Sequence, residues 1–106
     1  SVRQSTIYLI GLLIEFASNQ YQTFISFCLP VMVKIITDKD SREDEIVSVT
    51  ANAIAVVGKI MKYAPDLISP FETAVVTWIS WLPVIEDEVD FILTYLCELI
   101  ETYFFI

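Results

Sequence analysis

Residues 49–64 read VTANAIAVVGKIMKYA, and residues 2–17 read VRQSTIYLIGLLIEFA. The two stretches align without a gap at an offset of 47 residues, with valine, isoleucine, glycine and alanine at the same places. Most of the aliphatic and aromatic positions between these identities match in class. A period of this length is typical of arrays of helical hairpins, each of which buries its apolar face only by stacking on its neighbours. The repeat therefore predicts a slice of a helical solenoid.

The composition favours a slice of an array over a complete protein. Of the 106 residues, 56% are hydrophobic, and the chain runs from Ser1 to a large apolar group at residues 103–106. We therefore expect the chain to be truncated at its end; the alternative is a small bundle whose last turn folds back onto the core. Because the terminal repeats of a solenoid normally carry polar outer faces, we also expect the isolated chain to self-associate.

Two classes of partner are disfavoured by the same composition. The longest uncharged stretch, residues 16–33, is interrupted by polar side chains (Ser18, Asn19, Gln20, Gln22 and Ser26 among them) and by Pro30, so no segment offers the roughly 20 apolar residues that span a membrane. The net charge of −8 argues against a nucleic-acid surface, which needs a basic stripe, and is weakly in favour of basic protein partners.

Apolar spacing and helix-breaking residues predict five helices and an all-α fold. We expect them near residues 2–17, 21–36, 43–64, 70–82 and 86–103, with a kink at Pro30 and an N-cap at Ser69. The expected architecture is a HEAT-repeat α-solenoid fragment of about two and a half hairpins. Residues 1–19 would be the second helix of a preceding repeat, residues 20–64 a complete repeat, and residues 65–106 a repeat truncated at its end.

Residues for catalysis or metal binding are not evident. The chain has no histidine, and its two glycines form no phosphate-binding loop. Gly11 and Gly58 are instead expected to permit close approach of neighbouring helices. Cys28 and Cys97 lie in apolar helical patterns and are expected to be buried thiols. The acidic runs at residues 38–43 and 86–90 are explained by a solvated connection and a helix start. We therefore predict no catalytic, cofactor or metal site, and a protein that is not an enzyme.

Polar residues on the second helix of each hairpin follow one face. In the third helix that line contains Ser48, Asn52, Ala55, Lys59 and Lys62, and in the fifth it contains Asp87, Thr94, Glu98 and Glu101. The line is either an ordinary solvated face or the concave wall of a solenoid. Trp78 and Trp81, three residues apart, either fill the seam between hairpins or leave one ring at an outer groove.

Several short stretches of the sequence resemble one protein family more closely than helical-repeat packing alone would require. They are AVVGKIMK at 55–62 followed by Pro65 and Asp66, WISWLP at 78–83, and YLCELIE at 95–101. Together they resemble the importin-β, or karyopherin-β, family of nuclear transport receptors. They are most similar to the importin beta-3 type (importin 5 and yeast karyopherin 121), in the C-terminal HEAT repeats. The chain departs from the family at Val76 and Thr77, where a proline is frequent.

The resemblance implies a nuclear import receptor that shuttles between cytoplasm and nucleus. Such receptors bind basic cargo, release it on binding Ran-GTP, and contact phenylalanine-glycine nucleoporins. On this basis Asp87, Glu98 and Glu101 are the candidate cargo-facing residues, and Trp78 and Trp81 are the candidate hydrophobic groove. The alternative is a generic HEAT-repeat scaffold subunit for protein–protein interaction, which the runs at 58–62 and 78–83 disfavour.

Overall fold

A computed structural model describes residues 2–84 and 89–104, and these residues form an all-α structure. The α-helices are α1 (Val2–Ala17), α2 (Gln22–Thr37), α3 (Val47–Tyr63), α4 (Phe71–Ser80) and α5 (Val89–Phe104), with a short 3₁₀ turn at Pro65–Leu67. The predicted fold class is thereby confirmed. The 47-residue offset maps α1 onto residues 49–64, within two residues of α3 at either end.

Helix α3 is the centre of the structure. It contacts α1, α2, α4 and α5, and every residue from Val49 to Met61 is buried. Its sequence permits this burial on all sides, because alanine, valine and glycine occupy most of the positions from 49 to 58 and keep the helix narrow. Large side chains of the surrounding helices, such as Ile14, Ile25 and Trp78, then fill the space around it.

The predicted start of the third helix was wrong by a few residues. Glu43, Asp44 and Glu45 precede α3, because residues 38–46 form successive turns. Asp38 Oδ1 accepts a hydrogen bond of 2.9 Å from the amide of Asp40, a local bond that competes with helix formation. The Thr50 hydroxyl donates to the Ser41 carbonyl over 2.7 Å and ties the connection to α3.

Both ends of α4 also differ from the prediction. Pro70, and not Ser69, stands at the N-cap, and no side chain caps this end. The helix ends at Ser80 because the amides of Trp81 and Leu82 donate to carbonyls three residues back, which tightens the last turn before Pro83. Pro30 lies inside α2, which continues through it from Gln22 to Thr37.

The polar line predicted on the third helix is not a solvated face. Asn52, Ala55 and Lys59 are buried between neighbouring helices, and only Ser48 and Lys62 are half-buried.

The prediction that both cysteines are buried is right for Cys28, whose thiol pKa is raised by burial. It is wrong for Cys97, which is exposed. None of the helices in the described part of the chain is long and apolar enough to cross a membrane.

Candidate functional site: the helix seams and the α4–α5 surface

The two repeated glycines lie at contacts between helices. Neither has a positive φ, so their role is to make room and not to permit an unusual backbone conformation. A methyl group built on Gly11 of α1 would lie 3.3 Å from Lys59 Nζ and 3.5 Å from Val56 Cγ2 of α3. On Gly58 of α3 it would lie 2.9 Å from Trp78 Cζ2. The prediction that the glycines allow close helix packing is confirmed.

Trp78 occupies the space that Gly58 leaves. Its side chain is fully buried, and the indole Nε1–H donates a 3.0 Å hydrogen bond to the backbone carbonyl of Ile54. Within an α-helix this carbonyl also accepts the amide of Gly58, one turn later. The missing side chain at Gly58 therefore exposes a helix carbonyl that the indole reaches. Trp78 is a packing residue of the core and does not line an open groove.

Further aromatic rings extend this contact across α5. Tyr95 meets Trp78 edge to face with the ring centroids 5.3 Å apart, and Phe91 stacks on Tyr95 at 5.8 Å. We call Gly58, Trp78, Phe91 and Tyr95 the aromatic seam. Burial raises the pKa of the Tyr95 hydroxyl to about 12. The seam joins α3, α4 and α5 through rigid rings, which give large contact area at little cost in side-chain entropy.

Lys59 is buried between the first and last helices of the chain. Its ammonium lies 5.4 Å from the centroid of the Phe91 ring on α5 and 6.0 Å from that of Tyr8 on α1. Such cation–π contacts stabilise by roughly 0.5–2 kcal/mol. Among the described residues no carboxylate lies within ion-pair distance of this ammonium. Lys59 belongs to the polar line predicted from sequence, but aromatic rings of α1 and α5 enclose it.

The structure describes two of the three acidic residues predicted to face cargo. Asp87 lies outside the described residues. Glu98 is half-buried, and its carboxylate forms a 3.0 Å ion pair with Lys62, whose pKa is raised by this hydrogen bond. Glu101, one helical turn further along α5, is exposed. One of the two described carboxylates is thus neutralised by a lysine of α3.

An acidic cleft surrounds this ion pair. It has a volume of about 520 Å³ and lies between the C-terminal end of α3, the start of α4 and the later turns of α5. Asp66 and Glu72 contribute further carboxylates, and the rings of Phe71 and Tyr103 stack at a centroid distance of 6.4 Å. Asp66 and Glu72 were not among the predicted cargo-facing residues, and they line one cleft with Glu98 only through the packing of the helices.

An apolar groove lies between the end of α4 and the first half of α5. Its volume is about 330 Å³, and it is lined by Ile79, Leu82, Pro83, Val84, Ile92, Leu93 and Leu96. Neither Trp78 nor Trp81 is part of its lining. Trp81 is half-buried against the core, and its carbonyl accepts a hydrogen bond from the Arg42 guanidinium. The candidate groove residues Trp78 and Trp81 therefore do not line this particular groove.

These features define a helical-repeat structure of the HEAT type. The helices pack around a common core, with glycines in α1 and α3 at the contacts, and the described surface includes an acidic cleft and an apolar groove. Within the described residues no group of three or more acidic or cysteine side chains could hold a metal ion. The arrangement is suited to contacting other proteins.

Comparison with known proteins identifies the family. No model of a protein family matches the chain. It is 29% identical to the probable importin-5 homolog of Dictyostelium discoideum over 97% of its length, and 30% identical to importin subunit beta-3 of Saccharomyces cerevisiae over 94%. It spans 10% and 9% of those two proteins. These two matches cover nearly the whole chain and support its assignment to the importin-β family.

Proposed function

We propose that this chain is a HEAT-repeat segment of a nuclear import receptor, which works by binding and changes no bond in its cargo. The observation that carries the proposal is the similarity of nearly the whole chain to two importins. An all-α structure with glycine-mediated helix seams supports it, because this is the packing that a stacked array requires. Shuttling between cytoplasm and nucleus is part of the same proposal.

The repeat organisation is also proposed. Residues 1–19 would be the second helix of one repeat, residues 20–64 a complete repeat, and residues 65–106 a further repeat. The equivalence of α1 and α3 in sequence and length supports this division, as does the packing of α3 against α1 on one side and α5 on the other.

For basic cargo, the proposed contact is the acidic surface of α5 and its surroundings. Asp87, Glu98 and Glu101 remain the candidate residues. Because Lys62 already pairs with Glu98, Glu101 and the cleft residues Asp66 and Glu72 would carry more of the attraction. Exposed ion pairs contribute roughly 0–1 kcal/mol each, so binding would be cumulative and sensitive to salt.

For nucleoporins, the proposed contact is the α4–α5 apolar groove. Its volume of about 330 Å³ and its lining of seven apolar residues would suit a phenylalanine side chain. The aromatic seam beneath supports it, since Trp78 and Tyr95 fix the spacing of α4 and α5. Binding of Ran-GTP with release of cargo completes the proposal, by analogy with the family.

A hybrid receptor tests the transport proposal. The segment of yeast importin subunit beta-3 that aligns with this chain would be replaced by residues 1–106, and the hybrid's nuclear entry and cargo import would be measured in permeabilised cells. We expect both to approach those of the unmodified receptor. A folded hybrid that stays outside the nucleus would contradict the proposal and favour a scaffold role.

A separate variant tests whether the acidic residues contribute to cargo binding. In the same hybrid, Asp87→Asn, Glu98→Gln and Glu101→Gln together should weaken binding of an arginine-rich cargo peptide at low salt, with a smaller effect at high salt. The double variant Lys62→Gln and Glu98→Gln removes the ion pair without changing net charge and is the matched control. Equal affinity for the triple variant and the unmodified hybrid at low salt would exclude this surface as a cargo contact.

A further inference from the structure

Tyr95 carries a polar group that has no hydrogen-bond partner within residues 2–84 and 89–104. The residue is only 4% exposed, and its ring packs on Trp78 and Phe91 in the aromatic seam. A buried tyrosine hydroxyl usually finds a partner. Every described side-chain nitrogen or oxygen that is fully sealed from solvent does have one. The Tyr95 oxygen therefore keeps a narrow opening to solvent.

That opening leads to the acidic cleft, which Tyr95 lines together with Glu98 and Tyr103. Burial is the main cause that raises the pKa of Tyr95, and the charges of Tyr103 and Glu98 add to it. The hydroxyl end of the side chain thus lies towards these two residues, while the ring packs in the aromatic seam. The cleft has a hydroxyl oxygen at its base that no described residue binds.

The cleft already holds one positive charge of its own. The Lys62 ammonium lies 3.0 Å from Glu98 Oε1, and the two side chains are 30% and 45% exposed. The carboxylates of Asp66 and Glu72 belong to exposed residues and form no ion pair with any described residue. Lys62 therefore pairs with Glu98 alone and leaves the Tyr95 oxygen without a donor.

The aromatic wall of the cleft favours one kind of cation. The rings of Phe71 and Tyr103 stack with their centroids 6.4 Å apart, and they lie beside the carboxylates. A guanidinium group is planar, stacks on aromatic rings and presents five N–H donors, so it can bind a carboxylate and a hydroxyl at once. An ammonium group is compact and strongly hydrated, and it gains less from such a surface.

We infer that the acidic cleft binds one arginine side chain of a partner protein, and that Lys62 competes with it from within the chain. The guanidinium takes the place of the Lys62 ammonium at Glu98, donates an N–H to the Tyr95 oxygen and lies against the rings of Phe71 and Tyr103. The inference deepens the proposed contact with basic cargo and rests on it. That proposal needs only a negative surface, whereas this one names a single pocket and a single residue type.

Selectivity between two peptides tests the pocket. The chain would be titrated with a short capped peptide that contains one arginine, and with the same peptide carrying lysine instead, while the amide NMR signals of α3, α4 and α5 are followed. We expect the arginine peptide to bind more tightly by at least about threefold, because a further hydrogen bond and the stacking contact are open to it. Equal affinities would overturn the pocket and leave a general electrostatic surface.

Tyr95→Phe isolates the contribution of the hydroxyl. The variant keeps the ring in the aromatic seam and the net charge of the chain, so a nonspecific attraction is unaffected. The arginine peptide should bind about two- to tenfold more weakly, and the lysine peptide should change little. Tyr21→Phe, at an exposed tyrosine outside the cleft, is the matched control. Unchanged arginine affinity in Tyr95→Phe would overturn the inference.

Lys62→Gln tests the competition. Removing the internal cation frees Glu98, so the arginine peptide should bind about two- to fivefold more tightly. Lys34→Gln changes the net charge by the same amount at an exposed site on α2 and is the control. An equal gain in both variants would contradict the role of Lys62 as a competitor.

The outcomes are separable from those of the transport proposal. The titrations need only this chain, so a hybrid receptor that fails to enter the nucleus leaves an arginine preference standing. A hybrid that imports its cargo does not rescue the pocket if the two peptides bind equally. If Tyr95→Phe loses helix content by circular dichroism, Glu72→Gln replaces it, with Glu45→Gln at an exposed residue outside the cleft as its control. Equal weakening by these two variants would overturn the pocket.

Discussion

The seam between α1 and α3 and the aromatic seam are built on equivalent glycines and differ in what the glycine meets. Gly11 faces Val56 and the long, flexible side chain of Lys59, whereas Gly58 faces the rings of Trp78 and Phe91. A lysine stem can move by a few tenths of an ångström, but a buried indole that is held by a hydrogen bond cannot. The space at Gly11 can therefore accept a larger side chain more readily than the space at Gly58, although the two glycines are equivalent in the repeat.

The difference extends to how each seam fixes the spacing of its helices. In the aromatic seam the Tyr95 ring contacts both Trp78 and Phe91, and the Trp78 indole donates a hydrogen bond to the backbone of α3. In the α1–α3 seam the contacts are aliphatic, with a cation–π contact of Lys59 to Tyr8 at the edge. Changes at the aromatic seam should therefore cost more stability than similar changes elsewhere.

The largest effect is expected for Trp78→Ala. It removes a fully buried ring and leaves a cavity, so we expect the free energy of unfolding to fall by about 3–5 kcal/mol, a large share of the total for a domain of this size. Trp81→Ala is the matched control, since Trp81 is half-buried and has no indole hydrogen bond among the described residues. Urea denaturation measures both, and equal losses would contradict the assignment of Trp78 to the core.

A smaller effect is expected from alkaline pH. The folded-state pKa of Tyr95 is raised to about 12 from an ordinary value of 10.0. Between those values the unfolded chain releases this proton while the folded chain keeps it, so stability falls as pH rises. The loss should be on the order of 2 kcal/mol. It should be absent from Tyr95→Phe, and parallel pH profiles of the two proteins would rule out a buried hydroxyl.

The smallest effect belongs to the ion pair between Lys62 and Glu98. Hydrogen bonding to Glu98 raises the pKa of Lys62. The ion pair's contribution to the free energy of unfolding is therefore present at neutral pH and is lost as the pH rises past this raised pKa. Because both side chains are half-exposed, Glu98→Gln should cost no more than about 1 kcal/mol. The cost should shrink in high salt, and a salt-independent loss would indicate a packing role instead.

Much of the fold could be predicted because it depends on local pattern. The bounds of α1, the equivalence of α1 and α3, and the function of both glycines follow from apolar spacing and a self-match. The start of α3 could not be predicted in this way, because Asp38 and Thr50 form hydrogen bonds that hold residues 38–46 in turns. Such bonds depend on which residues come into contact and not on periodicity.

The candidate site was less predictable for a tertiary reason. Spacing alone could not tell Trp78 from Trp81, since only the packing of α4 on Gly58 distinguishes them. Lys59 belongs to a polar line in sequence, but aromatic rings from α1 and α5 enclose it. The acidic cleft combines Asp66 and Glu72 with Glu98, and nothing in the linear order joins these residues.

Two single variants, Gly11→Ala and Gly58→Ala, test the difference between the two seams most directly. At Gly58 the new methyl group would meet Trp78 Cζ2 at 2.9 Å and Phe91 Cε2 at 3.0 Å, so overpacking should lower the free energy of unfolding by about 1–3 kcal/mol. That loss should appear even though alanine gains up to about 1 kcal/mol of helix propensity over glycine.

At Gly11 the nearest atom is the mobile Lys59 Nζ at 3.3 Å, and the same gain in helix propensity should offset the small adjustment. We therefore predict that urea unfolding will place Gly11→Ala at or slightly above the unsubstituted chain and Gly58→Ala clearly below it. Equal stabilities for the two variants, or a greater loss at Gly11, would contradict the difference between the two seams.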